Sequence, residues 1–127
     1  MNDLIIAYGL PAERNETFRS RLTAENYSYI TCSDMHEIDA RIKDKPQLIL
    51  LDLSSLSDDD AEQIVFDLRK VTFIPIFALV CSGDIVSAVI WDGADYCFTP
   101  DSSDDYLISH VKALIRFDKR CREHPVF

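Results

Sequence analysis

The sequence predicts an α/β fold: a doubly wound, five-stranded parallel sheet built from five strand–helix units. Three observations point to it. Short apolar runs alternate with amphipathic stretches from Leu4 to Arg120, five times over. Two of those runs, Leu48–Leu51 and Ile74–Cys81, are apolar without interruption, the pattern of strands covered by helices on both faces. The length of 127 residues, with 47% hydrophobic and 28% charged side chains, fits one domain with an ordinary core.

Each element has a local reason. Leu4–Tyr8 is the first strand. Pro11 suits a helix start, and a helix to Asn26 follows, with Phe18 and Leu22 on one face. Tyr27–Cys32 is the second strand, where Tyr29 and Thr31 favour extended backbone. Ser33 or Asp34 caps a helix to about Lys43, with Met35, Ile38 and Ile42 at helical spacing. Pro46 ends it, and Leu48–Leu51 is the third strand, stopped by Asp52. Ser54–Asp60 is polar and loop-like. Asp58–Lys70 is the next helix, burying Ala61, Ile64, Val65 and Leu68. Ile74–Cys81 is the fourth strand, and Asp84–Trp91 a short helix that Gly93 terminates. Tyr96–Phe98 is the last strand. Asp101 to about Arg120 is the closing helix, with Tyr106, Leu107, Val111, Leu114 and Ile115 inward. The domain is read as 1–120, with 121–127 as the start of a linker or the chain's end.

Charge narrows the functions. Acidic residues number 22 against 13 basic ones, a net charge of −9, which disfavours nucleic-acid binding by this domain because phosphate contacts need Lys and Arg. Between Val71 and Val111 there is no Lys or Arg, while Asp84, Asp92, Asp95, Asp101, Asp104 and Asp105 all fall there. That stretch reads either as a solubilising surface or as a recognition surface. Leu4–Ala7 is too short for a signal peptide's apolar region, and no run approaches a membrane span; a cytoplasmic protein is expected. Cys32, Cys81, Cys97 and Cys121 form no CxxC pattern, so neither a zinc site nor a disulfide is expected. Cys81 and Cys97 sit in apolar runs and are expected to be buried.

In an open parallel sheet the working crevice lies beyond the carboxyl ends of the strands, where the strand order reverses. The residues there are Tyr8, Gly9 and Leu10, then Asp52, then Val80–Ser82, then Thr99.

Three segments carry a resemblance. Pro46-Gln-Leu-Ile-Leu-Leu-Asp52-Leu, Ile74-Pro-Ile-Phe-Ala-Leu and Gly93-Ala-Asp-Tyr-Cys-Phe-Thr-Pro100 together resemble the receiver domain of bacterial two-component response regulators, over essentially the whole domain and in the order of all ten elements. The resemblance implies a flavodoxin-like (βα)5 fold. It implies Asp52 as the phosphoacceptor, a histidine kinase as donor, and a magnesium ion held by the acceptor, by acidic residues after the first strand and by the backbone carbonyl of Ser54.

The sequence departs from that pattern. Tyr8 and Gly9 occupy the positions of the acidic pair, and Glu13 lies about a helical turn further on. Val80 replaces the hydroxyl residue that ends the fourth strand, although Ser82 is two residues later. Thr99 replaces the lysine before the last proline, or that lysine is deleted, since the segment is one residue short. Leu56 and Asp60 stand where Pro and Gly are common. Asp52 alone is a weak magnesium site, and losing metal ligands and the lysine removes the charge neutralisation that phosphoryl transfer depends on.

The expected function is therefore a degenerate receiver. It acts as a phosphate-independent interaction or dimerisation module for an effector such as a DNA-binding domain, through the face of the fourth helix, fifth strand and fifth helix. Trp91 and Tyr106 are the interface candidates, and Tyr96 matches the family's switch aromatic, with Cys97 as the other match. One alternative is a magnesium-dependent phosphoacceptor at Asp52. A second is a small-molecule-binding flavodoxin-like domain, although only Gly9, Gly83 and Gly93 are available to a phosphate loop. No nucleophile–base pair or metal cluster is legible, so no enzyme activity is expected.

Overall fold

The computed structural model describes residues 3–123. Five strands, β1 (Leu4–Tyr8), β2 (Ser28–Cys32), β3 (Leu48–Asp52), β4 (Ile76–Leu79) and β5 (Tyr96–Phe98), form one all-parallel sheet in the order β2-β1-β3-β4-β5. Five helices connect them: α1 (Ala12–Ala24), α2 (Met35–Arg41), α3 (Asp58–Val71), α4 (Val86–Asp92) and α5 (Asp104–Glu123).

The period-2 alternation of strand side chains sorts the apolar residues into two cores. Ile6, Ile49, Leu51, Ile76 and Ala78 face α2, α3 and α4, meeting Ile38, Val65, Leu68 and Val89. Ile5, Ala7, Leu48, Leu50, Phe77 and Leu79 face α1 and α5, meeting Phe18, Leu22, Leu107, Val111 and Ile115. Every residue of β3 is buried, which is why its run reads as continuously apolar.

The ends of the elements follow local chemistry. Asp34, not Ser33, caps α2: its carboxylate accepts from the Glu37 N–H at 2.8 Å, while Glu37 accepts from the N–H and hydroxyl of Ser33. Ser57 caps α3 through the Asp60 N–H, and Asp58, Asp59 and Asp60 follow at the favourable end of the helix dipole.

Several expectations need correction. Helix α1 stops at Ala24, and Asn26 turns the chain with φ +71°, a conformation asparagine tolerates. Beyond α2 the chain tightens into a 3-10 turn over Ile42–Asp44, with Lys45 left-handed beyond it. Strand β4 is Ile76–Leu79, not Ile74–Cys81, because Pro75 has no N–H for the ladder. A 3-10 turn at Gly83–Ile85 precedes α4. Helix α5 starts at Asp104 because Ser103 caps it through the Tyr106 N–H, and it runs past Arg120 to Glu123; 124–127 lie outside the described residues. Tyr106 is not inward, with 48% of its surface exposed, and Ile108 fills the core instead. Cys97 is buried but Cys81 is exposed, its thiol 3.3 Å from the Asp58 carboxylate.

Arg69 ties the end of α3 to its surroundings. Its guanidinium donates to the carbonyls of Gly93, Thr72 and Ile74 and to the Asp95 carboxylate. Asp95 in turn accepts from the Ile76 N–H at 2.9 Å. Gly93, with φ +132°, leaves room for the arginine stem: a Cβ there would sit 2.7 Å from it. Replacing Arg69 strands these carbonyls and one carboxylate. Arg69→Ala is expected to lower the unfolding free energy by roughly 2–4 kcal/mol, read as an earlier urea midpoint at unchanged slope. Arg69→Lys, with one ammonium for four acceptors, recovers less than half of it.

Candidate functional site

The strand order reverses at β1, which lies between β2 and β3. The crevice at that point is bounded by the carboxyl ends of β1 and β3, so the fold brings Tyr8 and Gly9 beside Asp52. The register pairs Asp52 with Leu79 on the other side, which puts Val80 next in line, and the Val80 N–H reaches the Phe98 carbonyl just before Thr99. The sequence-predicted positions thus lie along one edge of the sheet.

Asp52 is the one buried charged residue among those described, 5% exposed. Its Oδ1 accepts two hydrogen bonds from Ser54, from the N–H at 3.0 Å and from the hydroxyl at 2.5 Å. This closes a local turn in which a carboxylate caps its own loop. Leu53, between them, is fully buried and donates its N–H to the Leu79 carbonyl. The loop is therefore fixed on both sides of the carboxylate.

Gly9 has φ +88° and its backbone lies directly on the Asp52 main chain: a Cβ built there would overlap the Asp52 carbonyl oxygen. The position corresponding to an acidic residue is thus closed by backbone. Tyr8 is half-buried in the core beneath α2 and α3. Glu13 is exposed in the first turn of α1. Among the described residues no group of three or more His, Cys, Asp or Glu side chains is placed to hold a metal ion. One carboxylate with an oxygen already engaged by Ser54 is a poor fit to magnesium, which takes one or two carboxylates together with phosphate oxygens.

The hydroxyls near the crevice are also engaged. Ser82 accepts from the Asp84 N–H to cap the 3-10 turn. Thr99 donates to the Asp101 carboxylate. The loop after β5 is held instead by Arg14 of α1, whose guanidinium donates to the Asp104 carboxylate at 2.7 Å and to the carbonyls of Pro100 and Ser102 at 3.1 and 2.9 Å. Sequence reading missed Arg14 because the partners are some ninety positions away.

The same long-range pairing engages three of the six aspartates of the acidic stretch. Asp95 pairs with Arg69, Asp104 with Arg14 and Asp105 with Arg21. Asp92 lies beside Glu62 of α3 on the wall of one recess.

The face of α4, β5 and α5 carries exposed apolar side chains. Trp91 is 90% exposed, and Ile90 and Tyr106 are about half exposed. Beside Tyr106 a groove of 540 Å³ is lined also by Val86, Phe98, Thr99 and Ser103. Tyr96 lies on the α5 side of β5, half-buried among Phe77, Phe98 and His110, with ring centroids about 6 Å apart. Cys97 points to the other side into the core, and burial pushes its thiol up to about 11.

Known structures share this architecture. A two-component response regulator from Clostridium difficile superposes with a TM-score of 0.76 at 21% identity, covering 91% of this chain and 97% of that one. The fold is that of a response-regulator receiver domain. The BeF3-activated N-terminal receiver domain of Klebsiella pneumoniae RstA matches with a TM-score of 0.75 at 19% identity, over 90% of this chain and 99% of that one. NtrX from Brucella abortus, solved with ADP, matches at 0.78 and 21% identity over 97% of this chain but 28% of that one. No protein-family profile and no curated protein sequence matches the chain. Among the described residues, no helix of this receiver fold is long and apolar enough to cross a membrane.

Because Gly9 combines a left-handed backbone with contact to Asp52, restoring a carboxylate there should fail. Gly9→Asp is expected to destabilise the domain by roughly 1–3 kcal/mol in urea unfolding, and magnesium is expected to return none of that loss.

Proposed function

We propose that the chain is a receiver-type signalling module that works through protein contacts without phosphorylation. Asp52 serves as the structural cap of the loop after β3. The single observation that carries this reading is the packing of the Gly9 backbone on the Asp52 main chain together with the two Ser54 bonds to Asp52 Oδ1. Ser54 holds one of the two carboxylate oxygens, Oδ1, with two hydrogen bonds, and a phosphoryl group would have to form at Oδ2. It would meet no second carboxylate for a metal, no hydroxyl at Val80 and no lysine at Thr99. Arg14 is committed to the loop after β5.

The interaction surface is the face of α4, β5 and α5. Ile90, Trp91 and Tyr106 offer an apolar patch that an isologous partner, a second copy of the chain, would cover. The pattern of an N-terminal receiver in RstA, and of a receiver-like segment making up about a quarter of NtrX, supports a role in controlling a further effector domain, such as a DNA-binding one. A magnesium-dependent acceptor at Asp52, served by a histidine kinase, is the second reading, favoured by the place of Asp52 at the carboxyl end of β3.

Two measurements test this. Intact-protein mass after incubation with acetyl phosphate and magnesium is expected to show no adduct; a gain of one phosphate that disappears in Asp52→Ala would establish the second reading. Sedimentation is expected to show self-association, weakened roughly tenfold or more by Trp91→Ala with Tyr106→Ala. A monomer unaffected by these changes contradicts the homodimer.

A further inference from the structure

Helices α3 and α4 meet through two acidic side chains. Glu62 on α3 lies beside Asp92, the last residue of α4, on the wall of one recess. The Oδ2 of Asp92 is shut off from solvent, and no N–H or O–H among the described residues donates to it. A recess of 440 Å³ opens beside the pair, lined also by Asp59, Gln63 and Phe66. Two carboxyl groups side by side with no cation between them cannot both stay ionised without repulsion, and a proton on one lets a hydrogen bond form between them.

We propose that Glu62 and Asp92 form a proton-operated tie between α3 and α4. A proton on the Glu62 carboxyl bridges the helices in mildly acidic solution. Its release to solvent sets two carboxylates against each other and loosens the last turn of α4.

The surroundings all act in one direction. The bond to Asp92, then desolvation, then the charges of Asp92, Asp59 and Asp58 raise the Glu62 carboxyl above its ordinary 4.5. On α4 itself Asp92 is the one ionisable side chain. The turn before α4 supplies Asp84, and β5 supplies Tyr96, packed toward α5, and the buried Cys97. The cations of α3 are spent elsewhere. Arg69 holds Gly93, Thr72, Ile74 and Asp95, and Lys70 lies over the Phe66 ring at 4.5 Å, near Asp67.

A folded-state value raised above the unfolded one gives stabilisation that is complete below the unfolded value. It is lost as pH rises through the folded value. The window therefore opens near 4.5 and extends upward. Trp91, the one tryptophan, directly precedes Asp92 and is exposed, so its emission reports on this turn. The tie is a property of the α3–α4 contact and does not depend on what docks on α4.

The test follows Trp91 emission and the thermal midpoint of the full chain from about pH 4 to about pH 8. The wild type is expected to titrate with a midpoint above 4.5. Glu62→Gln is expected to abolish that transition, because an amide donates to Asp92 at every pH. Its thermal midpoint should equal the wild type's at the acid end and exceed it by a few degrees at the alkaline end. Asp92→Asn, which donates to Glu62 from the other side, should abolish the transition too and serves if Glu62→Gln does not fold. A transition that persists in either folded variant, or a thermal difference independent of pH, overturns the proposal.

Discussion

The contact between the Gly9 backbone and the main chain of Asp52 governs the carboxyl end of the sheet. It exists because β1 and β3 are neighbours with the register Tyr8 to Leu51, so the chain leaving β1 must turn directly over the residue that ends β3. With no Cβ and φ +88°, Gly9 makes that turn tight. Asp52 is buried, and its Oδ1 is held locally by Ser54. Burying a carboxylate without such donors would be costly; with two of them it becomes part of the loop's architecture. The shape that makes the turn compact also removes the place a second carboxylate would occupy.

Around this point the fold is held by cations reaching far along the sequence. Arg14 and Arg21 of α1 pair with Asp104 and Asp105 at the start of α5, and Arg69 of α3 pairs with Asp95 before β5. The pairs joining α1 to α5 favour the α5 N-terminus by placing its acidic side chains at the positive end of the helix dipole. Arg14 also binds the two carbonyls of the loop after β5, so that loop is anchored from outside the strand it follows. Where a lysine on the strand would point into the crevice, this chain has an arginine that braces the rim. The result is a receiver fold in which Ser54 holds Asp52 Oδ1 and Ile90, Trp91 and Tyr106 remain exposed.

Sequence periodicity was enough for the architecture, because β3 and β4 are buried on both faces and the helices bury one stripe each. Strands β1 and β5 have the ends expected of them. The differences arise where short-range chemistry decides. Pro75 shortens β4, Ser103 delays α5 by its cap, and Asn26 and Lys45 turn the chain with positive φ. Tyr106 falls in the apolar pattern of α5 yet sits at its margin, since Ile108 fills the core. In the site, the identities of Tyr8, Gly9, Asp52, Val80 and Thr99 were legible as strand-end residues. Gly9's packing on Asp52, the Ser54 cap and the Arg14 brace were not, because each depends on backbone conformation or on partners distant in sequence. The partners of Asp95, Asp104 and Asp105 were hidden for the same reason: charge along a chain does not report what the fold sets opposite it.

We propose Asp52 as a structural carboxylate held at Oδ1 by Ser54. That role is tested most directly by amide chemical shifts of the isotopically labelled chain, recorded as beryllofluoride is added with magnesium. The account predicts that the signals of Ser54, Val80, Ser82 and Tyr96 stay where they are. Saturable shifts at Ser54 that spread to Val80 and Tyr96, and that are absent in Asp52→Ala, would contradict it.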